Sequence, residues 1–189
     1  MKIPKIKLQI QRRVNPVYDK DKWEKAVKFH GHECPGLAVG FKACQALEEH
    51  IPTNAAVDEE LVCITENDTC AVDAVQSLLG CTFGKGNLIY KPMGKMAFNF
   101  YFRKSGESVR LYFKFDGRDM TREERLNYLL NAPTDELFSL TKPVFELPEP
   151  ARLFQSVVCE KCGERAREDK IRLVEGKKVC LGCFSEYDR

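Results

Sequence analysis

Two C-x-x-C pairs, Cys159/Cys162 and Cys180/Cys183, stand near the end of a chain of 189 residues with 17 residues between them. No other feature restricts the fold as tightly. Two residues between thiols let one tight turn aim both sulfurs at one ion, and a second such turn at ribbon spacing completes a set of four. Gly163 beside the first pair and Gly182 inside the second are expected to take the positive φ that such knuckles need. Four thiolates close a tetrahedral shell with no open position, so the spacing predicts a structural zinc ion and no catalysis. A unit of about 35 residues is also too small to fold on core burial alone, which a metal remedies. Arg165, Arg167, Lys170, Arg172, Lys177 and Lys178 are offset by Glu160, Glu164, Glu168, Asp169 and Glu175, with few aromatic residues among them. A solvated face is expected there, and nucleic acid is not an expected partner.

The remainder is long enough for an ordinary core, with 43% hydrophobic residues in the whole chain. Lysine and arginine total 30 against 28 acidic residues, a net charge of +2 that gives no strong field for nucleic acid or an anionic membrane. No apolar run is long enough to span a bilayer, and MKIPKIKLQIQRR lacks the apolar stretch of a signal peptide, so a soluble cytoplasmic protein is expected. The nine cysteines, an odd number with two C-x-x-C pairs, fit metal and thiol chemistry better than a secreted disulfide framework.

Helical spacing predicts an amphipathic helix from Asp21 to Phe29 and a second from Pro35 to about His50, with Cys34 at its N-cap. A strand over Leu61 to Thr65 is followed by capping residues Asn67, Asp68 and Thr69, then by a helix from about Cys70 to Leu79 that Gly80 closes. Leu88 to Lys91 is strand-like. Alternation over Met96 to Arg103 and Val109 to Phe115 predicts a hairpin with one phenylalanine-rich face, and Thr121-x-x-Glu124 a capped helix. The sum is an α+β fold: a mainly antiparallel sheet with helices packed on one face, plus a small C-terminal zinc-binding domain. The domains fall at 1–147 (core), 148–155 (linker) and 156–189 (ribbon), with Pro143, Pro148 and Pro150 punctuating the junction. The hairpin's apolar surface predicts a homodimer.

His30, His32 and Cys34 fall within five residues. In an extended segment their side chains share one side, so they can converge on one ion, with Cys70 or Cys81 completing an N/S shell suited to zinc, nickel or another borderline-soft metal. Cys34 and Cys70 both sit at helix starts, where the positive end favours thiolate, which makes Cys34 a soft ligand or a nucleophile. Asp73 and Gln76 or Ser77 share the polar face of the Cys70 helix. Cys44 and Cys63 read as core residues. Gly80 to Gly86 is one residue short of a phosphate loop and lacks its Ser/Thr, so nucleotide binding is not expected, and Lys85 is expected to bring positive charge to the pocket mouth.

The blocks FHGHECPGLAVGFKAC, CAVDAVQSLLGCTFGKGN and KPMGKMAF resemble the signature blocks of the FmdE family of formylmethanofuran dehydrogenase proteins, and the ribbon is similar to the zinc finger many members carry. The resemblance runs from about Trp23 to the end. It implies an α+β core, commonly dimeric, with a metal pocket at His30, His32, Cys34, Cys70, Asp73 and Cys81. The family is named for a molybdenum or tungsten complex that reduces carbon dioxide to formylmethanofuran, with the redox chemistry on other polypeptides of that complex. No pterin-binding motif stands in this chain, so the dehydrogenase activity is not carried over. The expected role is accessory: assembly, metal delivery or sensing for a molybdenum/tungsten oxidoreductase complex. The alternatives are a metal- or thiol-dependent enzyme with Cys34 and Asp73 as catalytic candidates, and a ligand sensor whose ribbon binds protein or nucleic acid.

Overall fold

The computed structural model describes residues 18–186. The amino-terminal stretch MKIPKIKLQIQRR and the last three residues of the ribbon range lie outside them. The chain divides into two compact units, the first ending at Glu149 and the second beginning at Pro150.

In the first unit, α1 (Lys20–His30) is capped by Asp19, whose carboxylate accepts from the Lys22 N–H, and ends at Gly31 in the left-handed region with φ 96°. α2 (Pro35–His50) starts with Cys34 as N-cap and proline at its first position. β1 (Leu61–Thr65) leads into α3 (Ala71–Leu79), where Thr69 Oγ1 accepts from the Ala71 N–H at 3.3 Å. β2 (Leu88–Tyr90), β3 (Ala97–Phe102) and β4 (Ser108–Phe113) follow. α4 (Arg122–Asn131) carries the expected Thr121/Glu124 capping box, and the short α5 (Thr134–Leu137) leads into β5 (Phe138–Thr141).

The sheet order is β2-β1-β3-β4-β5, antiparallel throughout except for β1 and β2, which run parallel with Thr65 opposite Tyr90. β1, α3 and β2 therefore form a crossover unit, as a parallel pair requires. Phe98, Phe100 and Leu111 on one face join Leu37 and Leu47 of α2, Leu79 of α3 and Leu129 of α4 in one core. The phenylalanine face is thus covered within a single chain. On the opposite face Val62, Ile64 and Tyr101 pack with Ile89 and Phe145. A strap over 144–148 holds to that face: Tyr101 Oη donates to the Phe145 carbonyl at 2.5 Å, the Val144 N–H to Asn99 Oδ1 at 3.2 Å, and Arg103 Nη1 to the Pro148 carbonyl at 2.9 Å. Buried beside it, Glu66 accepts from Arg110 Nε at 2.6 Å, Arg110 Nη2 at 3.1 Å and Asn99 at 3.0 Å.

The second unit pairs β6 (Ser156–Val158) with β7 (Arg165–Arg167) and β8 (Ile171–Val174) with β9 (Lys177–Cys180), two antiparallel hairpins. No helix among the described residues is long and apolar enough to cross a membrane.

Candidate metal centres

In the ribbon the four sulfurs of Cys159, Cys162, Cys180 and Cys183 all lie within 4.8 Å of one another. Four sulfurs at 2.3 Å around a tetrahedral ion are about 3.8 Å apart, and Cys162 and Cys180 stand at 3.9 Å. Each knuckle builds this locally. Gly163 takes φ 77° and donates its N–H to the Cys159 carbonyl at 2.9 Å, and the Cys180 N–H points at Cys159 Sγ at 3.3 Å. Gly182, expected to share the positive φ, does not take it; its knuckle closes instead through the Cys183 N–H on the Cys180 carbonyl at 2.9 Å. Glu160 ties the two knuckles together through its own N–H on the Lys178 carbonyl at 2.8 Å and its carboxylate on the Lys178 N–H. Backbone N–H groups of Cys162 and Cys180 hold the Cys159 thiol down at about 6, while hydrogen bonding to Cys162 and burial push Cys183 up to about 12. Such crowded thiols ionise together only around a cation.

The core holds a second cluster. His30, His32 and Cys34 place ligand atoms within 4.8 Å of one another. They do not share an extended segment, contrary to the expectation from alternation. His30 is the last residue of α1, and the left-handed turn at Gly31 brings the chain round so that the His30 and His32 rings lie 4.5 Å apart. His30 Nδ1 is 2.7 Å from Asp73 Oδ2, and its Nε2 is 3.7 Å from Cys34 Sγ. Gln76 Nε2 donates to the other oxygen of Asp73 at 3.1 Å. Cys34 Sγ accepts from the Leu37 N–H at 3.3 Å, so the thiol itself caps α2.

Cys70 joins this cluster from the start of α3. A Cβ placed on Gly36 would meet Cys70 Sγ at 3.6 Å and Cys34 Sγ at 3.9 Å, so the two thiols flank the same point. Burial first, then the neighbouring Cys34, raise the Cys70 pKa, so the positive helix end does not dominate at this thiol. Cys81 is elsewhere. It lies past the far end of α3, whose 9 residues span about 13.5 Å at 1.5 Å per residue, with Sγ 3.7 Å from the Leu61 carbonyl. Burial pushes it up to about 12. It neighbours Cys63 and Cys44, both fully buried core thiols. Lys85 is not at a pocket mouth either, because its ammonium donates to the Ala56 carbonyl at 2.8 Å.

Two residues that make this geometry possible carry no chemistry that a sequence displays. A Cβ on Gly40 would lie 2.0 Å from the Ala71 carbonyl oxygen, and one on Gly36 3.1 Å from Cys70 Cβ. Both glycines sit on the α2 face that touches α3, and their absent side chains bring the two helix starts together. The i, i+4 spacing of Gly36 and Gly40 was the available signal.

The structure therefore defines a metal-binding α+β protein in which a thiol and imidazole cluster between helix ends is followed by a separately folded four-cysteine ribbon with structural zinc. The chain belongs to the FmdE family: the pattern described as "FmdE, Molybdenum formylmethanofuran dehydrogenase operon" matches residues 29–139, over half of it. Residues 152–189 match the prokaryotic dksA/traR C4-type zinc finger. A solved FmdE-like protein of the tungsten formylmethanofuran dehydrogenase type, from Syntrophus aciditrophicus, is 27% identical, with a TM-score of 0.67 over 88% of this chain and 92% of that one. A protein of Archaeoglobus fulgidus named as a probable S-adenosyl-L-methionine-binding protein is 30% identical over 86% of this chain. The chain spans about half the length of that curated relative, 52%.

Proposed function

We propose that the chain is an accessory protein of a molybdenum- or tungsten-dependent oxidoreductase system, acting in assembly, metal delivery or sensing. In this reading His30, His32 and Cys34, with Cys70 beside them, hold a second transition-metal ion of the zinc or nickel type. The observation that carries it is the line from Asp73 through His30 to Cys34. A carboxylate on one ring nitrogen fixes the tautomer that presents the other to a metal, the usual support of a ligating histidine. Around one zinc ion N and S ligands stand roughly 3.3–3.8 Å apart, so the present separations close with small side-chain rotations. The ion would supply Lewis acidity or a transferable metal; the residues supply its pocket. The homodimer belongs to the same proposal, although the phenylalanine face no longer requires it.

The same three residues also favour a second reading. Cys34, His30 and Asp73 stand in the order of a thiol nucleophile, its base and the base's orienting carboxylate. Metal analysis of freshly purified protein separates the two. Two equivalents in the wild type and one in Cys34→Ser support the metal site. One equivalent in both, with Cys34 alkylation that slows sharply in His30→Ala, supports the thiol enzyme and defeats the metal site. S-adenosyl-L-methionine, the ligand in the name of the Archaeoglobus protein, enters here only as a candidate ligand of the core, which equilibrium dialysis tests.

A further inference from the structure

Asp73 has a second environment besides its bond to His30. On its other side a cavity of about 180 Å³ is bounded by Thr65, Asn67, Asp68, Asp73, Phe83 and Tyr90. It lies outside the carboxyl end of β1, where the crossover unit makes the one parallel strand pair of the described sheet. In open sheets with such units ligands bind beyond the carboxyl ends of parallel strands, because the strand-to-helix loops converge there.

The walls differ in what they leave unused. Thr65 Oγ1 donates to the Asn67 carbonyl at 2.7 Å, Asn67 Oδ1 accepts from Thr69 Oγ1 at 2.8 Å, and both oxygens of Asp73 are engaged by His30 and Gln76. Asp68 is exposed at the cavity wall, beside Tyr90. Among the described residues, no lysine or arginine lines the cavity. Phe83 is 62% exposed and Tyr90 38%, so two aromatic side chains stand at the open edge beside the carboxylate with spare acceptor capacity. The half-charge of the α3 start offsets only part of a full carboxylate.

We infer that this cavity is a binding site for a small organic cation, an alkylammonium or sulfonium group, held by the Asp68 carboxylate and the Phe83 and Tyr90 rings next to the His30/Cys34 cluster. An organic cation is selected over a neutral group by the carboxylate, and over a strongly hydrated inorganic ion by the rings, which reward a weakly hydrated charge. The inference extends the proposed metal site by its neighbour and does not need the ion itself.

The test uses the full chain, isotope-labelled for amide spectra, at fixed ionic strength. Three probes of similar shape differ in charge: tetramethylammonium, tert-butanol and pivalate. Tetramethylammonium should shift the amides of Asn67 to Asp73, Phe83 and Tyr90 saturably, tert-butanol should bind at least tenfold more weakly, and pivalate should not bind. Asp68→Asn should weaken tetramethylammonium at least tenfold, and Tyr90→Leu, which leaves the charge in place, several-fold. Equal binding of the cation and the neutral probe, no saturable shift, or Asp68→Asn binding like the wild type would overturn the inference. Metal analysis of the same samples is read in parallel. A core without its second ion defeats the metal reading, while the charge series in that sample still decides the cation site.

Discussion

Replacing Gly40 by alanine tests how the core cluster is held together. The added Cβ would fall 2.0 Å from the Ala71 carbonyl oxygen, 2.6 Å from its carbonyl carbon and 2.7 Å from its Cα. These are backbone atoms of the first turn of α3, so no side-chain rotation relieves the contact. Restoring an ordinary separation of about 3.4 Å requires the helices to part by roughly 1.4 Å, and inserting even one methyl into a packed interior costs about 1–3 kcal/mol, occasionally more. With backbone on the receiving side, the upper end is expected, about 3 kcal/mol. For a unit of this size that lowers the midpoint of the core transition by roughly 6–12 °C. The same displacement separates Cys34 at the start of α2 from Cys70 at the start of α3, so core metal should fall while ribbon zinc stays at one equivalent. Gly84→Ala is the control, because a Cβ there meets nothing within 4 Å. Calorimetry with metal analysis on both variants reads the result. If Gly40→Ala unfolds within about 0.5 kcal/mol of the wild type, the range of an inconsequential surface change, the glycine contact does not set the helix spacing and this account of the cluster is wrong.

Cys159→Ser should release one zinc equivalent and unfold the ribbon while the core transition persists, since the two units are separately compact; zinc content at the wild-type level would count against a four-thiolate site. Asp73→Asn should weaken core metal binding roughly 10–100-fold with little change in stability, measured by competition with a chromogenic chelator, and an unchanged affinity would remove Asp73 from the ligand support. Glu66→Gln should destabilise the core by up to about 3 kcal/mol, since it leaves the partly buried Arg110 guanidinium without its charge partner. Burial works against ionisation of Glu66, but hydrogen bonds from Arg110 and Asn99 outweigh it and leave its pKa below the ordinary glutamate value. The pair's contribution is therefore present above about pH 4.5 and is lost as pH falls through the folded-state pKa; denaturant midpoints of wild type and variant should converge in that acid range, and a constant gap down to about pH 3 would refute the assignment.

What the sequence made legible depended on how far each feature reaches along the chain. Helix starts carry their signal within four residues, so Pro35 after Cys34 and the Thr121/Glu124 box appear where the pattern placed them. The ribbon ligands are equally local in each knuckle. His30, His32 and Cys34 were legible as a group, yet their convergence has a different cause from the alternation that suggested it, because one extra helical residue and the turn at Gly31 replace the extended segment. Cys81 looked equivalent to Cys70 by residue type and proximity in sequence. A helix of 9 residues between them separates their positions. The strap over 144–148 went unread, because the spacing of Pro143 and Pro148 reports the lack of regular structure and not whether a segment is packed. Its anchors, Asn99, Tyr101 and Arg103, lie 44 or 45 residues upstream of the groups they hold.

The same difference in reach makes the two thiol sites physically unlike. In the ribbon each C-x-x-C turn preforms half of the shell, and only the meeting of two hairpins is left for the metal to secure. In the core the candidate ligands come from the end of α1, the turn after it and the start of α3, so their distances are set by how closely three helices pack. No short motif can encode that spacing. It resides in residues with no chemistry of their own, Gly36 and Gly40, where the absence of a side chain positions two thiols. A rigid, closed four-thiolate shell suits an ion that must stay. A cluster whose geometry follows helix packing, with one histidine exposed and a ligand-sized cavity beside its carboxylate, suits an ion that reacts or is handed on.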